Sequence, residues 1–441
     1  MTHTLIDIAA AALEAAKRAG ANEVAATASR AREVEVQWRD GKIDKVSEAT
    51  ARALDLELYV GGSYAAMSTS DLRPDAVASF IASSVALTRK LSPDPFRALP
   101  DPRLYLGQAK IDLDLEDARY LELDAKQRRD LARDMEAAAR AVAGKGTLLS
   151  ATSGFGDTQG QSVRVHSNGF VGERRATRFA MSTEVAVQDP DGRRPEDWEM
   201  GAARYFADLP RAEDVGRMAA ERAYRRIGAQ KGESARLMMA VDARAAARLL
   251  GYLLAPLSAA ALQQKRSFLD GKLGQSVASP LLTLHDDPLV RRGLGSRLFD
   301  GEGLAAKRFA VFEASKLASY YVDDYYGKKL GMAPSTRGIS NLAWQLGAKS
   351  QGALLAELDS GILVTSFLGG NSNATTGDFS LGVVGYRVQG GVKAEPIGEM
   401  NISGNHLEFW RHLVAVGNDP YAYSAFYTPT LVFEDVQFAG V

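Results

Sequence analysis

Cysteine is absent from this sequence, and histidine is scarce, with five residues in a chain of 441. The absence of cysteine excludes disulfides, thiolate zinc sites, iron–sulfur clusters and a cysteine nucleophile. Only His406 and His412 lie close together along the chain, and their spacing turns them onto different faces of a helix. We therefore expect no metal site and no cofactor in this chain.

The sequence also lacks an excess of either charge and a long apolar run. It has 53 Lys+Arg against 54 Asp+Glu, a formal net charge of −1, which gives no overall field to hold nucleic acid. The longest apolar-looking uncharged run, residues 249–264, falls short of the ~20 apolar residues that a membrane-spanning helix needs. No leader-peptide pattern is visible. We expect a cytoplasmic protein that binds neither nucleic acid nor membrane.

The first half of the sequence shows a helix, several strands and a second helix, and this order then returns. Apolar spacing predicts a helix from Leu5, alternating segments predict strands on both sides of the hairpin signal Asp40-Gly41, and a helix follows near Asp71. The same pattern recurs about 127 residues later. The sequence predicts a duplicated α/β unit with antiparallel sheets, over residues 1–108 and 109–232. Two unrelated α+β units remain the alternative.

The remainder of the chain, residues 233–441, has a different character. One long helix is predicted over 242–262, and most of the chain after it is predicted to form strands separated by glycine-rich turns such as Gly369-Gly370. We predict an α+β protein whose C-terminal domain is β-rich and barrel-like, with one long helix.

Two kinds of segment are candidates for chemistry. The carboxylate pairs Asp286-Asp287 and Asp323-Asp324 follow or precede predicted elements, where they suit acid–base work, oxygen ligation of a metal, or simple turn formation. The loop 368–380 is rich in Gly, Asn, Ser and Thr, and it suits binding of an extended peptide or an anion, or a plain connection. Within it the candidate substrate- or partner-binding residues are Thr375, Thr376, Gly377 and Asp378.

Several stretches, in this order and spacing, resemble the TldD/PmbA family of metallopeptidases: residues 266–280, 300–303 with Lys307-Arg308, 326–334 and 376–380. The resemblance implies a cytoplasmic bacterial or archaeal system in which TldD and TldE (PmbA) subunits form a heterodimer around a cavity and cleave unfolded peptides. It further implies that the TldD subunit holds zinc through an HExxxH helix and a late cysteine.

The matching helix here, residues 242–256, has no histidine, and the late stretch 419–427 has no cysteine. The chain thus resembles the PmbA (TldE) branch, which implies a non-catalytic subunit with a TldD-like partner, an unfolded peptide substrate, and a homodimer as one state of the isolated chain. Two alternatives stay open at this point. One is an interaction or regulatory scaffold without a peptidase role, and the other is an autonomous hydrolase that uses Asp286, Asp287, Asp323 and Asp324.

Overall fold

A computed structural model describes residues 4–440. The N-terminal half consists of two units with the same order of elements, helix, three strands and helix. The first unit contains α1 (Leu5–Arg18), β1 (Glu23–Arg39), β2 (Lys42–Val60), β3 (Ser63–Thr69) and α2 (Pro74–Thr88). The second unit contains α3 (Ala125–Arg140), β4 (Thr147–His166), β5 (Val171–Gln188), β6 (Glu196–Ala203) and α4 (Ala212–Arg225).

The two units share one antiparallel sheet of order β3-β2-β1-β4-β5-β6, in which β1 and β4 form the central pair. Because β1 is 17 residues long, it reaches both hydrophobic cores. Its beginning, at Val24 and Ala26, packs with α1, and its end, at Val36, packs with Met135 of α3. Each unit therefore completes the core of the other, so neither core is closed without the β1–β4 pairing.

The C-terminal part begins with β7 (Ala235–Val241) and α5 (Ala243–Leu254) and continues through short elements to three long strands. In chain order these elements are α6 (Ala259–Gln263), β8 (Leu284–Asp286), β9 (Phe309–Glu313), β10 (Lys316–Leu317), α7 (Asp324–Leu330), β11 (Leu342–Trp344), α8 (Gln351–Glu357), β12 (Ser360–Ser372), β13 (Asp378–Gln389), β14 (Val392–Asn405), α9 (His406–Phe409), β15 (Leu413–Val416) and β16 (Leu431–Ala439).

Strands β14-β13-β12-β7-β16 close into a barrel, because β14 also pairs with β16 at Ile402 and Phe438. Strand β15 extends the sheet beyond β16, and β8 to β11 form a separate small sheet. The pairing of β7 with β12 is parallel, unlike its neighbours. The predicted α+β class with antiparallel sheets and a barrel-like C-terminal domain is confirmed. In residues 4–440 no helix is long and apolar enough to cross a membrane.

The single long helix predicted over 242–262 is wrong. Helix α5 ends at Leu254, a 3-10 turn occupies Ala255–Leu257, and α6 begins at Ala259 with Ser258 as its N-cap. Pro256 lies in the 3-10 turn, and proline has no amide hydrogen and clashes with the preceding turn of an α-helix. The turn therefore separates α5 from α6.

A buried ion pair connects α3 to the shared sheet. The guanidinium of Arg128 donates to both carboxylate oxygens of Asp157 on β4, over 2.6 and 3.0 Å, and also to the carbonyl of Leu123. The two side chains are 4% and 0% exposed. Loss of one partner leaves the other charge buried without compensation.

We expect Asp157→Ala to lower the free energy of unfolding by about 3–5 kcal/mol, because Arg128 stays buried and unpaired. Urea denaturation followed by circular dichroism measures the change. The control is Lys126→Ala, which breaks the exposed Lys126–Asp130 pair on the same helix and should cost less than about 1 kcal/mol. Equal effects of the two substitutions would contradict the assigned role of the buried pair.

Helices α3 and α4 approach closely at Gly216, where an added Cβ would lie 1.8 Å from the carbonyl oxygen of Met135. Gly216→Ala should therefore destabilise the protein by about 1–3 kcal/mol through overpacking. Gly251 is the matched control, since it lies within α5 with no atom near its Cβ position. Gly251→Ala should stabilise the protein by about 0.5–1 kcal/mol. Thermal unfolding distinguishes the two signs, and a neutral or stabilising Gly216→Ala would refute the close approach.

Candidate functional site

The sequence-predicted residues lie in the loop 373–377 and at the first position of β13. The loop is organised by Asn373, whose side-chain oxygen accepts hydrogen bonds from the amides of Thr375 at 2.9 Å and Thr376 at 3.4 Å. Gly377 has φ +85°, and a Cβ there would lie 3.2 Å from Asn405 and from Phe268. The positive φ favours glycine at this position, and a Cβ there would also be tightly packed.

Asp378 joins the loop to the end of β14. Its carboxylate accepts from the Asn405 amide group at 2.9 Å and from the Thr376 hydroxyl at 2.7 Å. The hydrogen bond from Asn405, followed by that from Thr376, lowers the pKa of Asp378 below its usual value. Thr375, Thr376 and Asp378 are exposed, whereas Gly377 is buried. Three of the four predicted residues are thus held by local hydrogen bonds and exposed to solvent.

A buried histidine lies directly against this loop. The His406 amide donates to the Gly377 carbonyl at 2.8 Å, and its ring nitrogen Nε2 is 2.8 Å from the Ser372 hydroxyl. The ring stacks on Phe268 with a centroid separation of 5.6 Å and packs on Phe379. Burial lowers the pKa of His406 to about 4, so the imidazole is neutral at pH 7. Its Nδ1 has no hydrogen-bond partner within the described residues.

The sequence did not single out His406 as part of the site. In the structure it comes directly after Asn405, the last residue of β14. Its contact with the loop depends on the β13–β14 register, which pairs Asp378 with Asn405. His412, the other histidine of the close pair, lies in the 3-10 turn Trp410–His412.

Helix α5 forms the other side of the site through Arg248 and Tyr252, which are one helical turn apart. The Arg248 guanidinium donates to the carbonyls of Phe367 and Gly369, at 2.6 Å each, and to the Tyr252 hydroxyl at 3.1 Å. The Tyr252 ring lies 6.2 Å from the ring of His406. We call this region the α5–loop site. It consists of Arg248, Tyr252, His406, the loop 373–377 and Asp378.

The α5–loop site does not fit a metal ion. Helix α5, Ala243–Leu254, contains no His, Asp or Glu, and Arg248 brings a positive charge to the face that meets the loop. His406 is the single imidazole, and one of its nitrogens is engaged by Ser372. Across residues 4–440 no group of three or more His, Cys, Asp and Glu side chains is placed to hold a metal. The site can instead present hydrogen-bonding groups to a chain laid along it.

The two aspartates of the first pair, Asp286 and Asp287, have different structural roles. Asp286 is buried and accepts from the Ser340 amide at 2.9 Å, the Tyr321 hydroxyl at 3.0 Å and the Ser340 hydroxyl. Burial raises the pKa of Asp286. Asp287 accepts from the Leu289 amide at 2.9 Å, which is a turn contact. The two side chains therefore stabilise separate segments.

The second pair begins α7. Asp323 caps the helix by accepting from the Tyr326 amide at 2.7 Å, and Asp324 pairs with Lys328 at 2.6 Å. The Asp324 amide donates to Glu302, a carboxyl that the sequence did not single out as a site residue. Burial raises the pKa of Glu302 to about 8. Glu302 lies in a stretch, 300–303, whose only sequence signal was the family resemblance.

Comparison with known proteins gives consistent matches over most of the chain. Residues 118–227 match the model of the PmbA/TldA metallopeptidase central domain, and residues 234–440 match that of the C-terminal domain. Metalloprotease PmbA of Escherichia coli O157:H7 is 28% identical over 92% of this chain and 90% of its own length. The PmbA homologue of Haemophilus influenzae is also 28% identical, over 97% and 94%.

Solved structures agree with these matches. A crystal structure from Bacteroides thetaiotaomicron, provisionally named a modulator of DNA gyrase, is 35% identical with a TM-score of 0.95, covering 99% of this chain and 100% of that one. TldE from Thermococcus kodakarensis shares the fold, with a TM-score of 0.84 at 19% identity over 98% and 100% of the two chains. The chain therefore belongs to the PmbA/TldD metallopeptidase family.

Proposed function

We propose that this chain is the non-catalytic, TldE-type subunit of a two-subunit metallopeptidase that acts in the cytoplasm on unfolded peptides. One observation carries the proposal. The chain belongs to a metallopeptidase family, yet the face of α5 at the α5–loop site presents Arg248 and Tyr252, and α5 contains no His, Asp or Glu. A guanidinium has no electron pair to give a metal and is not deprotonated in proteins. The zinc and its ligands would therefore come from a TldD-like partner.

In this proposal the α5–loop site helps to hold an extended peptide. The β12–β13 register shifts between Leu368 and Asn371, so the backbone around Gly369 and Gly370 departs from the regular ladder. Next to it, Thr375, Thr376 and Asp378 are exposed and already fixed by local hydrogen bonds. Extended peptides bind through main-chain hydrogen bonds where backbone groups lie outside a regular ladder, and a fixed loop loses little entropy on binding.

The proposed role requires that cleavage depend on both subunits. An unstructured peptide is incubated with this chain, with a homologue that carries HExxxH and a late cysteine, and with an equimolar mixture. We expect cleavage by the mixture, loss of cleavage with a chelator, and zinc in the homologue but not in this chain.

Zinc-dependent cleavage by this chain alone would contradict the proposal and favour the carboxylate hydrolase. Equal cleavage by the homologue with and without this chain, and no co-purification of the two, would favour a scaffold or a homodimer. Size-exclusion chromatography of the isolated chain and of the mixture separates these assemblies.

We expect Asp378→Ala to raise the KM of the mixed complex about three- to tenfold and to change kcat less than about twofold. The substitution removes the acceptor that holds Thr376 and Asn405, so the loop loses its fixed form while the partner's metal is untouched. Asp71→Ala is the control, because it removes a turn carboxylate of the N-terminal unit that likewise accepts from a nearby amide. Unchanged KM with Asp378→Ala would exclude the loop from peptide contact.

A further inference from the structure

A second region of the molecule has chemistry that the proposed function does not use. A cavity of about 550 Å³ lies where β5 and the segment 111–116 meet the segment 294–299. Its volume is within the range of small-molecule sites. Arg174, Arg204 and Arg297 line it, together with an apolar wall that includes Leu113, Leu294 and Leu298.

None of these three arginines has a carboxylate within ion-pair distance in the described part of the chain. Their donors are directed at neutral oxygens instead. Arg174 donates to the Phe299 carbonyl, Arg204 to the carbonyls of Thr177 and Leu294, and Arg297 to the carbonyls of Ile339 and Gly338 and the Thr336 hydroxyl. The Nε atoms of Arg174 and Arg297 are buried and have no partner among residues 4–440.

Two other arginines that the fold encloses have carboxylate partners. Arg128 binds Asp157, and Arg244 lies 3.1 Å from Asp197. In the cavity, burial lowers the pKa of Arg174 to about 10. A buried charge without a partner is costly, so a cluster of such charges around open space favours an incoming anion.

Four acidic residues, Asp112, Asp114, Glu116 and Glu173, also line the cavity, and two of them are held in ion pairs. Asp114 is held by Arg291 and Arg292, at 2.8 and 2.7 Å, and Glu173 by Arg175 at 2.6 Å. Asp300 is close enough to raise the pKa of Arg174, but its own oxygens accept backbone amides, those of Glu302, Leu304 and Arg337. Asp112 and Glu116 are exposed at the rim. Within residues 4–440, Arg174, Arg204 and Arg297 are therefore left without an ion-pair partner, while Asp300 places a negative charge near Arg174.

We propose that this cavity binds a small organic anion, a carboxylate joined to an apolar body. The carboxylate would meet the guanidiniums of Arg174 and Arg204, which match it in planar geometry. The apolar body would lie against Leu113, Leu294 and Leu298. This inference stands independently of the proposed subunit role, because it concerns the isolated chain and other residues.

Calorimetric titration of the full chain with three probes tests the ligand chemistry. The probes are N-acetyl-leucyl-phenylalanine with a free carboxylate, its C-terminal amide, and inorganic phosphate. We expect the free acid to bind and the amide to bind at least tenfold more weakly, because it lacks the charge. Phosphate should also bind more weakly, because it lacks the apolar body. Equal binding of acid and amide, tighter binding of phosphate, or no binding of the acid would overturn the proposal.

Substitution of the arginines tests the site. Arg174→Gln and Arg204→Gln should each weaken binding of the acid about tenfold. Arg211→Gln removes an exposed positive charge outside the cavity and should leave the affinity within about twofold. Circular dichroism confirms the fold of each variant. If a glutamine variant fails to fold, Arg174→Lys tests the site instead. It keeps the charge but not the planar guanidinium, so it should also bind the acid more weakly. Unchanged affinity in the folded cavity variants would refute the site.

Discussion

The packing of α5 against the barrel is the constraint on which the candidate site depends. The helix follows β7 directly, with Asp242 as its N-cap, and one face enters the core through Ala246, Leu249 and Leu253. An amphipathic helix fixed in this way has few positions left to face a neighbouring loop. Those positions are Arg248 and Tyr252, and their side chains therefore decide what chemistry the helix contributes.

Arg248 stabilises the backbone at the site and does not bind a metal. Its guanidinium satisfies two carbonyls of β12, at Phe367 and Gly369, next to the place where the β12–β13 ladder is irregular. Without such a donor, those oxygens would depend on water or on another ligand. The same side chain that is unsuited to a metal thus stabilises the strand from which the loop 373–377 emerges.

Local patterns in the sequence predicted the architecture well, because helix and strand periodicity, the Asp40-Gly41 turn and the glycine-rich connections are short-range signals. The composition of the loop also indicated Thr375 to Asp378. His406, Glu302 and the arginines of the cavity could not be found in this way. Their roles arise from register and burial, which join residues far apart in the chain: Arg174 and Phe299, for example, meet only in the folded protein.

The loop and the arginine cavity differ in how their polar groups are satisfied, and this difference determines what each can bind. In the loop, Asn373, Thr376 and Asp378 satisfy one another, so a ligand gains from an ordered surface rather than from relief of an unpaired charge. In the cavity, the guanidiniums have only neutral oxygens, so an anion supplies the compensation that the chain lacks. Binding at the loop should therefore depend on shape and backbone contacts, whereas binding in the cavity should depend on charge.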